Sequence, residues 1–347
     1  MQNPNLQHIP QLDGLRAIAV LMAFCHHALA IPLLWSGVDL FFILSGYLIT
    51  SILLRDCKRM SFGKMLGSFY LRRAERILPA YILFLSIAYP FVRTEWHHTW
   101  GYYICFLQNV PLALGLVNSS PLTPLWSLAI EQHFYLFWPI LIFFLPHRWL
   151  VPSMLFLLFG TPVLRSVCTP LFDHSAYIYA LTPFRLDAMA AGSLGALILP
   201  SCRPSLGIRS AQMAMIVGTI GYAVLAIHHP WFRRTANSAS FNGLAYSLNI
   251  LILGGLFVWV SLSRNSWATR ILSTPILCWI GRISYSFYLF HVLVLILLQR
   301  YMTRGPAAIC GLSITLAISS LSWSLMEKRI LALGASYRRS RIGLTSA

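Results

Sequence analysis

The sequence predicts an all-α membrane protein, a polytopic transmembrane helix bundle of about ten spans with one extra re-entrant or interfacial segment. Three observations carry this. Charged residues make up 10% of the chain and hydrophobic ones 57%, with a mean hydropathy of +0.68, whereas a soluble domain carries about 25% charged residues. Apolar runs of spanning length recur along all 347 residues. The basic residues gather in short loops between these runs, so the formal charge of +17 reads as a topology signal and not as a nucleic-acid interface.

The N-terminal MQNPNLQHIPQLDGLR has no basic n-region and no small-residue cleavage site. The apolar run from Ala17 to Leu34 is too long for a signal h-region, so it is expected to stay as the first span. Pro32 and Ser36-Gly37 make a turn, and Val38 to Leu54 forms the second span, in which Ser45-Gly46 let a neighbour approach closely. Arg55 to Arg76 is the most basic loop and is expected at the cytoplasmic surface, partly as an amphipathic helix. A third span follows from about Ile77 to Val92. The apolar piece from Tyr102 to Val117 is interrupted by Gln108, Asn109 and Pro111, which predicts a re-entrant or interfacial segment. PLWSLAIEQHFYLFWPILIFFLP is the next span, and further spans are expected at about 150–165, 185–200, 211–228, 243–262, 278–299 and 306–326.

With the N-terminus inside, 19 of the 26 basic residues fall on the cytoplasmic side: one before the first span, seven in 55–76, one at Arg148, two in 201–210, three from Arg264 to Arg282 and five after Met326. That asymmetry favours ten spans with both termini inside. Neither an internal repeat of the transporter kind nor an appended soluble domain is expected. The seven cysteines are scattered without CxxC or Cys/His spacing, so they read as reduced and structural, with no metal site.

Polar groups inside these spans are the candidates for chemistry, since hydrocarbon tolerates them only with a partner or a purpose. Eleven residues separate Arg16 from His27, about 16 Å of helix and three turns plus roughly 20°, so the two share a face and His26 lies about 80° away. A neutral imidazole at that depth can serve as a general base. Asp39, at the outer end of the second span, could orient an imidazole, or simply favour the helix N-terminus. Arg72, Arg73 and Arg76 stand at the inner mouth of the third span, where arginines a turn apart make two-pronged contacts with phosphate or bind anionic headgroups. Glu131, flanked by Trp126, Gln132 and Tyr135, needs a cavity or a cationic partner. Further polar positions are Arg185 and Asp187, the helical face of Ser284, Tyr288 and His291, and Glu327.

The ordered motifs LDGLRAIAV…HHA, GVDLFFILSGYLIT, FYLRRAERILPAY, WSLAIEQHFYLFWP, FRLDAMAAG and ISYSFYLFHV resemble the integral-membrane acyltransferase 3 family, bacterial enzymes that O-acylate surface and exported glycans. The resemblance runs from Leu12 to Glu327. It implies a membrane acyltransferase domain over 1–335 followed by a short basic cytoplasmic tail, 336–347. It also implies an acyl-CoA donor, usually acetyl-CoA, used from the cytoplasm as a substrate with no permanently bound cofactor, and an acceptor hydroxyl on a glycan or lipid-linked sugar at the outer face of a bacterial inner membrane. By position, Arg16 and His27 fill the family's arginine and essential histidine, and Arg73 and Arg76 its arginine pair, thought to hold the donor's phosphates. Asp39, Trp126 and Glu131 occupy positions the family keeps polar or aromatic. The family commonly ends in Glu-Arg-Pro, whereas this chain has Glu327-Lys328-Arg329. Many members carry a second, esterase-like domain, which is not expected here.

These readings assign His27, Asp39 and Glu131 to catalysis and Arg16, Arg72, Arg73, Arg76, Trp126 and Glu327 to substrate binding. A homo-oligomer is left open. Two other classes fit an intramembrane Arg, His and Glu: a transporter or flippase for a lipid-linked saccharide, and a non-catalytic subunit of a polysaccharide export complex.

Overall fold

The structure is a computed structural model that describes residues 9–117, 120–228, 237–263 and 266–341, with side chains through 336. Most of the basic tail and much of the outer loop expected at 229–242 therefore lie outside the described residues or side chains.

Fifteen α-helices follow one another among the described residues: α1 (Pro10–Leu29), α2 (Gly37–Cys57), α3 (Phe62–Ala88), α4 (Arg93–Ile104), α5 (Asn109–Ala113), α6 (Leu125–Phe144), α7 (His147–Cys168), α8 (Ala176–Ala180), α9 (Leu186–Ile198), α10 (Pro204–His228), α11 (Ala239–Leu262), α12 (Trp267–Leu272), α13 (Pro275–Leu298), α14 (Arg304–Ser322) and α15 (Lys328–Arg341). Eight helical stretches, built on α1, α2, α6, α7, α10, α11, α13 and α14, are long and apolar enough to cross a membrane. The other two expected spans fall on α3 and α9. Helix α3 joins the basic surface segment and the apolar run from Ile77 in one unbroken element of 27 residues. Helix α9 has only 13 residues, about 20 Å of rise.

The piece from Tyr102 to Val117 is not one helix. Helix α4 ends at Ile104, Phe106 takes a left-handed conformation with φ 56°, and α5 restarts for five residues with Pro111 in its first turn. At the other end of the chain, a π-helical turn, Trp323–Glu327, links α14 to α15, so Lys328 and Arg329 continue a helix.

The chain divides into two compact units. Unit 1 comprises residues up to His26, Ile31–Ser51 and Pro146–Ser284. In it α2 and α9 cross at backbone distance. A Cβ on Gly46 would lie 2.1 Å from the Met189 carbonyl oxygen, and one on Gly192 would lie 1.9 Å from that of Ile43. Only glycine permits such an approach, and Thr50 Oγ1 donates across it to Ser193 Oγ at 2.9 Å. Helices α10 and α11 run antiparallel, with Gly218 against Leu248, Gly255 against Ala211, and a cluster of Tyr222, Leu225, Phe241 and Ala245 between them.

Unit 2 comprises His27–Ala30, Ile52–Leu145 and everything from Tyr285 onward. Its helices are held by aromatic edges and single polar ties: Phe62 against Phe143 and Phe144, Phe84 against Phe290, Tyr70 Oη donating to Leu136 O at 3.0 Å, and Tyr81 Oη to Tyr103 O at 2.9 Å. Ser120 Oγ donates to the Glu95 carboxylate at 2.6 Å, tying the segment before α6 to α4.

Candidate active site

Apart from Arg16 and Asp39, every expected site residue belongs to unit 2. His27 sits in the last turn of α1, half-buried, with its ring centroid 5.2 Å from that of His291 on α13. His291 is fully buried, flanked by Phe287 and Tyr288. Its Nδ1 lies 2.7 Å from the Tyr288 carbonyl oxygen. A carbonyl only accepts, so Nδ1 carries the hydrogen, and in the neutral ring Nε2 is the unprotonated nitrogen. Tyr288 is anchored in turn: its hydroxyl donates to Pro124 O at 3.1 Å and lies 2.8 Å from Ser127 Oγ on α6. His291 is thus positioned through Tyr288, which α6 and the residue before it hold in place.

Helix α6 brings Trp126, Glu131 and Tyr135 to the same unit. Trp126 is buried in its first turn. Glu131 lies one turn from Tyr135, whose hydroxyl donates to its Oε2 at 3.3 Å. On α3 the three arginines divide. Arg72 is held by Asp56 at 2.7 Å, and Asp56 is also paired with Arg55 at 2.9 Å. Arg73 lies 5.7 Å from the rings of both Phe69 and Tyr135, with no hydrogen-bond partner on its Nε among the described residues. Arg76 is half-buried one turn further along. A guanidinium held against aromatic faces keeps its edge for a planar anion, which is how arginine meets phosphate. Glu327 is buried at the π-helical turn, where its Oε1 accepts from Ser286 and from Ser322 at 2.8 Å.

Unit 1 holds a second polar constellation. Asp39, in the first turn of α2, pairs with Arg185 at the start of α9, and Arg165, in the last turn of α7, pairs with Asp187 at 2.6 Å. All four are no more than 2% exposed. Arg165 also donates to Asn242 O at 2.8 Å, Phe184 O at 2.7 Å and Ser247 Oγ at 3.3 Å. Arg185 is packed against Trp35, Phe42, Tyr179 and Tyr246, the last at 4.6 Å. Pairing offsets much of the cost of burying these ions, and Asp39 Oδ2 accepts no hydrogen bond among the described residues. Arg16 lies half-buried on α1, which runs unbroken to Leu29 and so keeps the three-turn spacing to His27.

Sequence reasoning gave two of these residues no role: it named His291 only among further polar positions and did not single out Arg165. His291 stands on a polar face with Tyr288, but a pattern of that kind equally fits an interfacial aromatic belt. Arg165 counts in a charge tally as one more basic residue near a span end. Its signal was an arginine inside the apolar run LFGTPVLRSVC.

The Acyl_transf_3 family model, described as an acyltransferase domain, matches residues 9–324. A Staphylococcus aureus (strain COL) protein provisionally named an O-acetyltransferase is 30% identical over 93% of this chain and 57% of its own length. The O-acetyltransferase OatA of S. aureus strain NCTC 8325 is 28% identical over the same shares. The chain thus spans a little over half the length of these curated relatives. No solved structure gives a significant match.

Proposed function

The chain belongs to the acyltransferase 3 family, and from that membership we propose an integral-membrane O-acyltransferase that moves an acyl group, usually acetyl, from cytoplasmic acyl-CoA to a hydroxyl of a carbohydrate or lipid-linked glycan at the outer side of a bacterial inner membrane. The observation that carries the proposal is the pairing of His27 with the buried, carbonyl-anchored His291 in the unit that also holds Arg73 and Arg76.

In the proposed reaction Arg73 and Arg76 hold the donor's phosphates, and Arg72, tied to Asp56 on the preceding helix, adds positive charge at the same mouth. His27 takes the proton of the acceptor hydroxyl as its oxygen attacks the thioester carbonyl. The C–S bond breaks, the ester C–O bond forms, and the proton passes from His27 to the departing thiolate. The two-step variant places the acyl group on the His27 imidazole first, then transfers it to the hydroxyl. Arg16, aligned along α1, draws in the donor or stabilises the oxyanion. Glu131, within the same unit, orients the histidine, and Trp126 and Glu327 line the substrate's path.

The test is transfer of radiolabel from acetyl-CoA to membrane glycans by vesicles containing the full chain, run beside His27→Ala. General-base removal is expected to cost about 10²–10⁴-fold in transfer. Equal incorporation would remove His27 from the chemistry, and no incorporation with any glycan or donor would sink the acyltransferase proposal. Acyl-histidine trapped in a single turnover without acceptor would select the two-step route.

A further inference from the structure

We propose that unit 1 binds a lipid hydrocarbon chain ending in a hydroxyl group, in a cavity of about 510 Å³ lined by α7, α9, α10 and α11. The lining runs along α11 from Gly243 to Val258, about 22 Å of helix rise, long enough to follow an extended hydrocarbon chain.

Its mouth identifies the medium it draws from. Phe159, Leu244 and Leu251 line the cavity yet are 67%, 53% and 40% exposed, on helices of membrane-spanning length. The opening therefore faces hydrocarbon and not water. Gly254 lies in the wall, and a Cβ placed on it would meet nothing within 4 Å. A larger side chain there would fill the space without disturbing a neighbour.

Inside a bilayer, lipid tails are as apolar as leucine, so an apolar wall alone does not select an occupant. Selection falls to the polar groups of the lining, Ser210 on α10 and, toward the start of α11, Asp187 and Ser247, of which Asp187 alone is a carboxylate. Asp187 takes Arg165 on Oδ2 and the Ala188 amide, at 3.1 Å, on Oδ1. A carboxylate has about four lone-pair sites, so accepting capacity remains. The guanidinium of Arg165 is already committed to Asn242, Phe184, Ser247 and Asp187. The end group that fits is a donor, a hydroxyl, whereas a carboxylate or phosphate would face Asp187 with no free cation.

The experiment uses the full chain in vesicles of phosphatidylethanolamine and phosphatidylglycerol, with a long-chain alcohol carrying a photoactivatable diazirine in mid-chain. After irradiation the adducts are mapped by peptide mass spectrometry. Label on α11 between Leu251 and Phe257 is expected to exceed that on Phe156, a lipid-facing position 75% exposed on α7, by about tenfold. Gly254→Leu is expected to remove most of the α11 label and leave that on Phe156. Gly160→Leu, at another open glycine outside the lining, is expected to change neither. Excess unlabelled alcohol should compete in the unaltered protein, which keeps the test valid if a variant does not fold. Equal label on α11 and Phe156, or label indifferent to Gly254→Leu and to competitor, would overturn the site. Equal label from the matching fatty acid would overturn the polar end at Asp187. Labelling does not depend on acyl transfer, so its outcome is separate from that of the transferase proposal.

Discussion

Arg185 faces Asp39 with its charge and four aromatic rings with its flat surface, so removing the carboxylate strands a cation in a buried site. Breaking one side of such a pair costs about 3–5 kcal/mol. Asp39→Asn is accordingly expected to lower the denaturation midpoint of the detergent-solubilised protein strongly, and turnover per folded molecule then tells whether Asp39 also serves the chemistry. If the proposed reaction holds, His291→Ala is expected to lower kcat with little change in the KM for acetyl-CoA, because the residue meets His27 and not the arginines proposed for the donor's phosphates. Arg73→Ala and Arg76→Ala should do the reverse. A lost charge-assisted hydrogen bond is worth about 1.5–3 kcal/mol, so each should raise the KM for acetyl-CoA by about 10–100-fold. Steady-state kinetics in vesicles distinguishes the two patterns. At this scale the sequence was informative about which residues are unusual, because Arg16, His27 and Glu131 are conspicuous in apolar helices. It was silent on their partners. Nothing in the spacing of Asp39 and Arg185, or of His27 and His291, says that they meet, since contact across hundreds of positions is set by how helices pack.

Helices were the most legible elements, because each long apolar run has one way to satisfy its backbone in hydrocarbon. The failures of regularity were partly legible too. Gln108, Asn109 and Pro111 foretold an interruption, and the structure places it at Phe106, where α4 gives way to the five-residue α5. What hydropathy missed is that the basic segment before Ile77 and the apolar one after it form the single helix α3, since charge patterning marks the membrane boundary and not the end of a helix. The crossing of α2 and α9 yields a prediction at this scale. Gly192→Leu would drive a side chain into the Ile43 carbonyl, 1.9 Å from where its Cβ would stand. Backbone cannot give way as a side chain does, so the expected loss is at the upper end of the roughly 1–3 kcal/mol typical of overpacking, or more. A fall in yield and thermal midpoint would register it, while Gly254→Leu should leave both nearly unchanged.

For the whole molecule, charge asymmetry is the main guide to orientation, and the cysteines can test it. If both termini are cytoplasmic, an impermeant thiol reagent added to intact spheroplasts labels the exposed Cys105, whereas Cys57 and Cys202 react only after lysis. Labelling of Cys57 from outside would invert the topology and move the Arg73–Arg76 pair away from the proposed cytoplasmic donor. The identity of the proposed acceptor was not legible from the sequence, because recognition of a sugar would rest on loop detail, and the loops expected outside carry no pattern. Helix α9 makes a different kind of demand, one of order in time. Thirteen residues that open on Leu186-Asp187 are too short and too costly to partition into a bilayer alone. During synthesis α9 emerges well after α2, and it is the glycine seam of α2 that can receive it. Biogenesis would therefore insert α9 against protein already in place, and a lesion at Gly46 should show first as a chain caught by quality-control proteases before it shows as an enzyme that works badly.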